Sequence, residues 1–234
     1  MANDQFTRRQ LLVAAGATGL AIPSAFAAEP AALEPFPKDG AEALARLKSG
    51  NARFVAGKTR HAHESADWRK HLVGGQSPFA TILGCSDSRV PTELVFDQGF
   101  GDLFVIRVAG NVVAAEVVGS VAYAFIHLKT PLFVVMGHAG CGAVTAALDE
   151  KLKKTKEPAK IESILKLIDP ALKEIGGKLP YAEQLNAAIE SNVRLAMKRL
   201  AELPGAKEAL STGAVTMAGA VYDLETAKVR FLAD

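Results

Sequence analysis

Three short, continuously apolar segments constrain the fold of this chain more than any other feature of its sequence. They cover residues 79–84, 103–108 and 132–136 and are rich in β-branched and aromatic side chains. Amphipathic stretches separate them at residues 91–97, where a proline occupies the first turn, and at residues 117–128. Buried strands that alternate with helices predict a parallel sheet with right-handed crossovers.

The remaining segments extend this pattern into an α/β fold. Further helices are predicted at residues 39–55, 65–72, 161–168 and 181–203. The charged segment 151–160 is predicted as a loop, and residues 214–222 and 228–232 predict a C-terminal hairpin. We therefore expect a mainly parallel central sheet of order 2-1-3-4 plus a C-terminal antiparallel strand, flanked by helices and preceded by an N-terminal helical arm.

The first 27 residues predict an export signal. A polar start that contains Arg8 and Arg9 precedes a mildly apolar stretch, and Ala25-Phe26-Ala27 matches the small-residue pattern of a signal-peptidase site. The paired arginines resemble the twin-arginine signal, which sends folded proteins across the bacterial inner membrane. A short membrane anchor or a frayed helix is the alternative. We therefore expect a periplasmic protein without stable membrane anchoring after processing.

The length of the chain suits one α/β domain with extensions, or at most two small domains. Hydrophobic residues make up 49% of the 234 residues and charged residues 22%, so a sizeable core can be buried. The predicted boundaries are residues 1–27 for the signal peptide, 28–75 for a linker and the helical arm, and 76–234 for the α/β core. The formal net charge is +2, and no dense Lys/Arg block contains interleaved aromatic residues, so nucleic acid is not an expected partner.

Two loops at predicted strand ends carry the residues with the most distinctive chemistry. Cys85 directly follows the first apolar segment, while His138 and Cys141 follow the third. In open α/β sheets, sites form beyond the carboxyl ends of strands where the strand order reverses, so an order of 2-1-3-4 brings these side chains together. Two cysteines and one histidine form a catalytic zinc site when the fourth position stays open. A disulfide or two buried thiols are the alternatives.

The segments around these residues resemble the β-carbonic anhydrases. The matching segments are CSDSRVPTELVFDQGFGDLFVIRVAGN (85–111), LFVVMGHAGCGAV (132–144), GNARFV (50–55), GQSPFATIL (75–83), SNVR (191–194) and GAVYDLETAKV (219–229). The resemblance implies reversible hydration of CO₂ to bicarbonate, Zn²⁺ as cofactor, and a homodimer or homotetramer. It also implies that Cys85, His138 and Cys141 bind the zinc and that Asp87 and Arg89 form a catalytic pair.

The chemistry implied by this resemblance agrees with the residue types. Zinc makes a water acidic enough to supply hydroxide near neutral pH. Asp87 would accept a hydrogen bond from that hydroxide and orient it, and Arg89 would keep Asp87 ionised, although a structural ion pair is the alternative. The backbone N–H of Gly142, at a helix start, would donate to the developing bicarbonate oxygen. Tight packing is the alternative reason for that glycine.

Three further residues match family positions that line the substrate pocket: Gln76, Phe104 and Tyr123. Gln76 would hydrogen-bond a substrate oxygen, and the two aromatic rings would give CO₂ a dry apolar wall, with core packing as the alternative for Phe104. Tyr123 and His127 lie four residues apart and hence on one helical face. His127 matches a histidine that some relatives use in proton release, with a structural role as the alternative.

The residue at position 82 bears on the resting state of the predicted zinc site. One subtype of the resembling family has a closed form, in which the aspartate moves onto zinc and bicarbonate binds a second site. That site needs a tryptophan three residues before the first zinc cysteine, whereas this chain has Ile82 there and its one tryptophan, Trp68, outside the motif. We therefore expect Asp87 to pair with Arg89 and leave the fourth zinc position open.

Two other functions stay open on the sequence alone. A hydrolase of carbonyl sulfide or carbon disulfide would keep the fold and the ligands and differ in access to the pocket. A non-catalytic zinc or thiol-switch protein would lack the Asp/Arg pair or carry extra cysteines, and this chain has the pair and two cysteines. The histidines outside the motifs, His61, His63 and His71, are expected on the surface.

Overall fold

Alternate side chains of the central strands enter two different cores. The computed structural model describes residues 35–233. Ile82 and Val134 lie in one core, whereas Leu83 and Val135 lie in another. Successive side chains of a strand point to opposite faces of the sheet. Because both faces are covered, these strands have continuously apolar sequences rather than alternating ones.

Five strands and eight α-helices make up the regular structure of the described residues. The strands are β1 (Ala80–Gly84), β2 (Leu103–Arg107), β3 (Leu132–His138), β4 (Thr216–Tyr222) and β5 (Val229–Phe231). The α-helices are α1 (Gly40–Val55), α2 (Ala66–His71), α3 (Thr92–Val95), α4 (Ala115–Tyr123), α5 (Gly142–Lys153), α6 (Ala159–Ile168), α7 (Tyr181–Ala201) and α8 (Ala206–Ser211). A π turn, Ala124–Leu128, extends α4, and 3₁₀ turns lie at Leu72–Gly74, Ala109–Asn111 and Asp169–Leu172.

The strands form one sheet of order β2-β1-β3-β4-β5. β1 pairs in parallel with β2 and β3, β3 pairs in parallel with β4, and β5 runs antiparallel to β4. The predicted order and the C-terminal antiparallel strand are therefore confirmed. Because β1 and β3 are parallel neighbours, their carboxyl ends meet, with Gly84 opposite Met136.

The first helix begins with the reciprocal side-chain caps that its sequence predicts. Asp39 is extended, and its side chain accepts a 2.9 Å hydrogen bond from the Glu42 N–H. The Glu42 carboxylate accepts a 2.9 Å bond from the Lys38 N–H. The first bond satisfies a backbone donor that the first helical turn leaves without a partner, and the second satisfies a backbone N–H just before the helix. Buried Leu47 then fixes α1 against the sheet in the core that contains Ile82.

Two predicted segments differ from the observed elements. The helix predicted at residues 91–97 is limited to α3, since the backbone of Asp97 has a left-handed φ of 50°. The loop predicted at residues 151–160 is shorter, because α5 continues to Lys153 and α6 begins at Ala159. Lys154, with a left-handed φ of 59°, ends α5. The sequence pattern located these helices but not the residues at which α3 and α5 end and α6 begins.

His63 lies in the interior, so its predicted surface position was wrong. Its Nδ1 is 2.8 Å from a carboxylate oxygen of Asp102, and its ring stacks on Trp68 at a centroid distance of 4.0 Å. Asp102 is itself fully buried. Pairing with this carboxylate compensates the burial of a polar imidazole. His61 and His71 are exposed, as predicted.

The predicted export signal, residues 1–27, lies outside the described residues. The proposed linker is also outside them except for its last residues, while α1 and α2 fall within the predicted helical arm. Within residues 35–233, no helix combines the length and the apolar character needed to cross a membrane.

Candidate metal centre

Three buried side chains meet where β1 and β3 end. Cys85 follows β1, His138 is the last residue of β3, and Cys141 caps the start of α5. One ligand atom of each residue lies within 4.8 Å of the ligand atoms of the other two. The two Sγ atoms are 4.0 Å apart, beyond the roughly 2.05 Å of a disulfide, and both cysteines are free. The sequence-predicted ligand set is therefore one cluster in space.

The histidine of this cluster has one nitrogen available for a metal ion. His138 Nδ1 lies 2.9 Å from the Ala139 carbonyl, which can only accept, so Nδ1 carries the proton. Nε2 then carries a lone pair, is buried, and has no hydrogen-bond partner within the described part of the chain. An unpartnered buried polar atom costs about 1–3 kcal/mol. A cation bound to Nε2 and the two sulfurs removes that cost, so these residues fit zinc.

The two sulfurs influence each other's ionisation. Hydrogen bonding from Cys141 lowers the pKa of Cys85 to about 4, with help from backbone N–H groups and against the effect of burial. The hydrogen bond with Cys85, burial and the charge of Cys85 raise the pKa of Cys141 above its usual range. Ionisation of Cys85 is therefore favoured, whereas ionisation of Cys141 is disfavoured. A divalent cation between them would stabilise both thiolates, the form that binds metals.

The loop after Cys85 presents a carboxylate fixed by an arginine. Both Asp87 oxygens accept hydrogen bonds from the Arg89 guanidinium, and the Arg89 backbone N–H donates to Oδ1 at 2.9 Å. The Arg89 hydrogen bonds hold the pKa of Asp87 well below its usual range. Asp87 Oδ2 also lies 3.8 Å from His138 Nε2. An ionised carboxylate therefore stands at the edge of the cysteine–histidine cluster.

Arg107 supports this loop from β2, and the sequence analysis did not identify it. Its Nε donates to the Cys85 carbonyl at 3.0 Å, and its Nη2 donates to the Asp87 carbonyl at 2.6 Å. Arg107 thus fixes the backbone on both sides of Ser86. The available signal was a single arginine at the end of an otherwise apolar strand, next to the strand that carries Cys85.

Gly142 is exposed at the first position of α5. Beyond its own helix backbone and chain neighbours, a Cβ atom added there would meet no atom of the described residues within 4 Å. Tight packing within this chain therefore does not explain the glycine. Its backbone N–H belongs to the first turn of α5, where the N–H groups have no partner within the helix.

The aromatic rings of Phe104, Tyr123 and His127 lie next to one another, whereas Gln76 lies elsewhere. The rings of Phe104 and Tyr123 have centroids 6.1 Å apart, and those of Tyr123 and His127 are 5.0 Å apart. Tyr123 and His127 are exposed. Gln76 precedes the start of β1, whereas Cys85 follows its end. The length of β1, roughly 3.3 Å per residue, thus separates Gln76 from the cluster within one chain.

Comparisons with known sequences give the same family throughout. The family model described as carbonic anhydrase matches residues 80–229, which include every residue of the metal cluster. Carbonic anhydrase 2 of Mycobacterium tuberculosis is 39% identical over 181 residues, which cover 76% of this chain and 86% of that protein. The carbonic anhydrase of Mycolicibacterium smegmatis is 38% identical over 187 residues, covering 78% of this chain and 88% of that protein.

The fold agrees with a solved structure of the same class. The β-carbonic anhydrase CcaA superposes with a TM-score of 0.66 at 27% sequence identity, covering 82% of this chain and 92% of that one. The chain therefore belongs to the carbonic anhydrase family, in its β class.

Proposed function

We propose that this chain catalyses the reversible hydration of CO₂ to bicarbonate and a proton, with zinc held by Cys85, His138 and Cys141. The observation that carries the proposal is the unpartnered Nε2 of His138, buried beside two free cysteine sulfurs. Three protein ligands and an open fourth position are typical of catalytic rather than structural zinc. The membership of the chain in the carbonic anhydrase family supports the choice of reaction.

The residues around the cluster have distinct tasks in this reaction. When bound, zinc acts as a Lewis acid that makes water a nucleophile near neutral pH. Asp87 accepts a hydrogen bond from the attacking water and so directs its lone pair to the CO₂ carbon. Arg89 keeps Asp87 ionised and restricts its rotation through the two-pronged contact. Arg107 holds the backbone that carries Asp87.

The start of α5 is suited to the product. As the attacking oxygen adds to the CO₂ carbon, negative charge develops on the substrate oxygens. The backbone N–H of Gly142 donates a hydrogen bond to one of these oxygens, at the end of a helix whose dipole favours an anion. Gly142 is exposed in the described structure, so its side of the helix start is accessible to a small anion.

Phe104 and Tyr123 form the apolar side of the substrate pocket of a second copy of the chain, because Phe104 lies opposite Thr81, four residues before Cys85. Phe104 and Tyr123 exclude water from CO₂, which has no net dipole to hydrogen-bond strongly. His127, exposed and in contact with Tyr123, passes the released proton to solvent. Gln76 reaches a substrate oxygen only from a second copy of the chain, since β1 separates it from the cluster of its own chain.

A homo-oligomer also agrees with the surface of the described residues. β2 is an edge strand, and its apolar residues Leu103 to Ile106 are only partly buried. Tyr123 and Ile126 add exposed apolar area, at 47% and 60% exposure. An apolar edge strand is suited to pairing with another chain. Light scattering coupled to gel filtration would measure the assembly, and a monomer at micromolar concentration would contradict it.

Export to the periplasm is part of the proposal, and it is supported by the sequence of residues 1–27 alone. Arg8 and Arg9 before an apolar stretch favour the twin-arginine route. Folded transport would allow zinc to bind Cys85 and Cys141 before they reach an oxidising compartment.

Stopped-flow measurement of CO₂ hydration by the zinc-loaded mature chain tests the proposed reaction. We expect a rate far above that of buffer, lost on Cys85→Ser substitution. Hydrolysis of carbonyl sulfide or carbon disulfide without CO₂ hydration would assign the site to that other substrate class. A zinc-containing protein that is inactive on CO₂, carbonyl sulfide and carbon disulfide would indicate a non-catalytic role.

A further inference from the structure

A buried asparagine on α7 holds the backbone that faces Cys85. Asn192 is 2% exposed, and its Nδ2 donates a 2.8 Å hydrogen bond to the Gly110 carbonyl. The Gly110 backbone N–H in turn donates to Cys85 Sγ at a distance of 3.3 Å. A continuous hydrogen-bonded path therefore connects α7 to one sulfur of the metal cluster.

Gly110 is the residue that links the two hydrogen bonds of this path. Its φ of 69° and ψ of 14° are left-handed, a conformation that glycine adopts without steric cost. An added Cβ would lie 3.0 Å from Ile168 Cδ1 and 3.1 Å from Ala143 Cβ, so larger residues do not fit. The N–H and the carbonyl of Gly110 lie in two peptide planes joined at its Cα, so fixing one plane limits the orientations open to the other. A fixed carbonyl restricts the rotation that would turn the N–H away from the sulfur.

The N–H···S bond acts directly on a metal ligand. Such a donor fixes the direction of the sulfur lone pairs and withdraws electron density from a thiolate. Cys85 is 5% exposed, and a hydrogen bond in low-dielectric surroundings is stronger than one in water. Hydrogen-bond partners of metal ligands change metal affinity or activity by about 10–100-fold when they are lost.

We propose that Asn192 is a positioning residue for the metal centre, which aims the Gly110 N–H at Cys85 Sγ and thereby tunes the bond between sulfur and metal. This inference rests on the proposed role of Cys85 as a zinc ligand. Asn192 acts through Gly110 and touches neither metal nor substrate. This positioning role also assigns a function to the SNVR segment (191–194), whose residues take no direct part in the proposed reaction.

The test replaces Asn192 and compares it with a matched asparagine. Asn192→Leu removes the donor at similar volume, and Asn192→Asp keeps the shape but replaces the donor with an acceptor. Asn51→Leu is the control, because Asn51 is also a buried helical amide. Its Nδ2 donates to the carbonyls of Val95 and Ala227, which are not in the metal cluster.

Each purified chain is loaded with Co²⁺ to record the sulfur-to-cobalt charge-transfer band, and its Zn²⁺ affinity is measured by competition with a chelator. We expect the Asn192 variants to shift the band to lower energy and to bind Zn²⁺ about tenfold more weakly. The Asn51→Leu protein should keep the wild-type band and affinity even if its unfolding midpoint falls. Loss of stability alone does not move a charge-transfer energy.

The two ways of failing are distinguishable. An unshifted band and unchanged Zn²⁺ affinity in folded Asn192 variants would overturn the positioning role and leave the zinc ligands intact. Absence of any sulfur-to-cobalt band in the wild-type protein would refute the Cys85 assignment, and the positioning role with it. Circular dichroism identifies the folded variants, and the shape-preserving Asn192→Asp carries the test if Asn192→Leu does not fold.

Discussion

Arg89 holds both carboxylate oxygens of Asp87, with Nε 2.9 Å from Oδ1 and Nη2 2.7 Å from Oδ2. The arginine side chain is 59% exposed, whereas that of Asp87 is 17% exposed. The pair therefore orients a mostly covered carboxylate from the solvent side. Ile82, fully buried in β1, stands where the closed subtype would need a tryptophan. This arrangement agrees with an Asp87 that is kept away from the metal.

The first prediction concerns this pair. Arg89→Ala should lower kcat/KM for CO₂ hydration about 100-fold, because Asp87 loses its orientation relative to the attacking water. The melting temperature should stay unchanged, since Arg89 is exposed. Arg194→Ala, which removes an exposed arginine that contacts only the Ala233 carbonyl among the contacts described, is the control. Full activity in Arg89→Ala would assign the pair a structural role.

The second prediction concerns the metal ligands. Elemental analysis of the wild-type protein should find about one zinc per chain, and Cys85→Ser or Cys141→Ser should remove it, because a serine hydroxyl is a poor replacement for a thiolate. Ser86→Ala changes an exposed neighbour in the same loop and should retain the zinc. Zinc at wild-type level in both cysteine variants would exclude this ligand set.

The third prediction is a pH dependence of stability at the β4–β5 turn. Asp223 Oδ1 accepts hydrogen bonds from the N–H and Oγ1 of Thr226, both at 2.7 Å, and these lower the pKa of Asp223. A lowered folded-state pKa stabilises the fold above the unfolded pKa of about 3.9, and this stabilisation is lost as pH falls through the folded value. Asp223→Ala should therefore unfold at lower denaturant than wild type at about pH 7, with a smaller difference at about pH 3. An equal difference at the two pH values would contradict this.

The fourth prediction concerns export. The double variant Arg8→Lys, Arg9→Lys should accumulate inside the cell, because the twin-arginine route requires the arginine pair, whereas Asp4→Asn should be exported normally. Cell fractionation measures both. Sequencing of the periplasmic protein should find a mature start near Ala28. Normal export of the double lysine variant would refute the twin-arginine route.

The sequence was most informative for potential metal ligands that lie at the ends of predicted strands. Cys85 and His138 directly follow or end apolar strands, so the order β2-β1-β3 alone was enough to predict that they meet. Arg107 and Asn192 could not be found in this way. Their roles depend on backbone groups of residues 20 and 82 positions away, which only the folded register brings into contact.

His63 shows the same limit for burial. Its local sequence is polar, and a surface position was the expected one. The structure places it against Asp102, 39 positions away in the chain, and beneath Trp68. The local sequence around His63 does not predict this pairing. Whether His63 meets Asp102 depends on where β2 begins relative to the segment before β1.

A crystal structure of the zinc-loaded mature chain at mildly alkaline pH tests the central claim most directly. We predict zinc at about 2.3 Å from Cys85 Sγ and Cys141 Sγ and at about 2.0–2.1 Å from His138 Nε2. Asp87 should remain paired with Arg89, with the fourth zinc position open to solvent. An Asp87 oxygen within about 2.2 Å of the zinc, or a Cys85–Cys141 disulfide in place of the metal, would contradict the account.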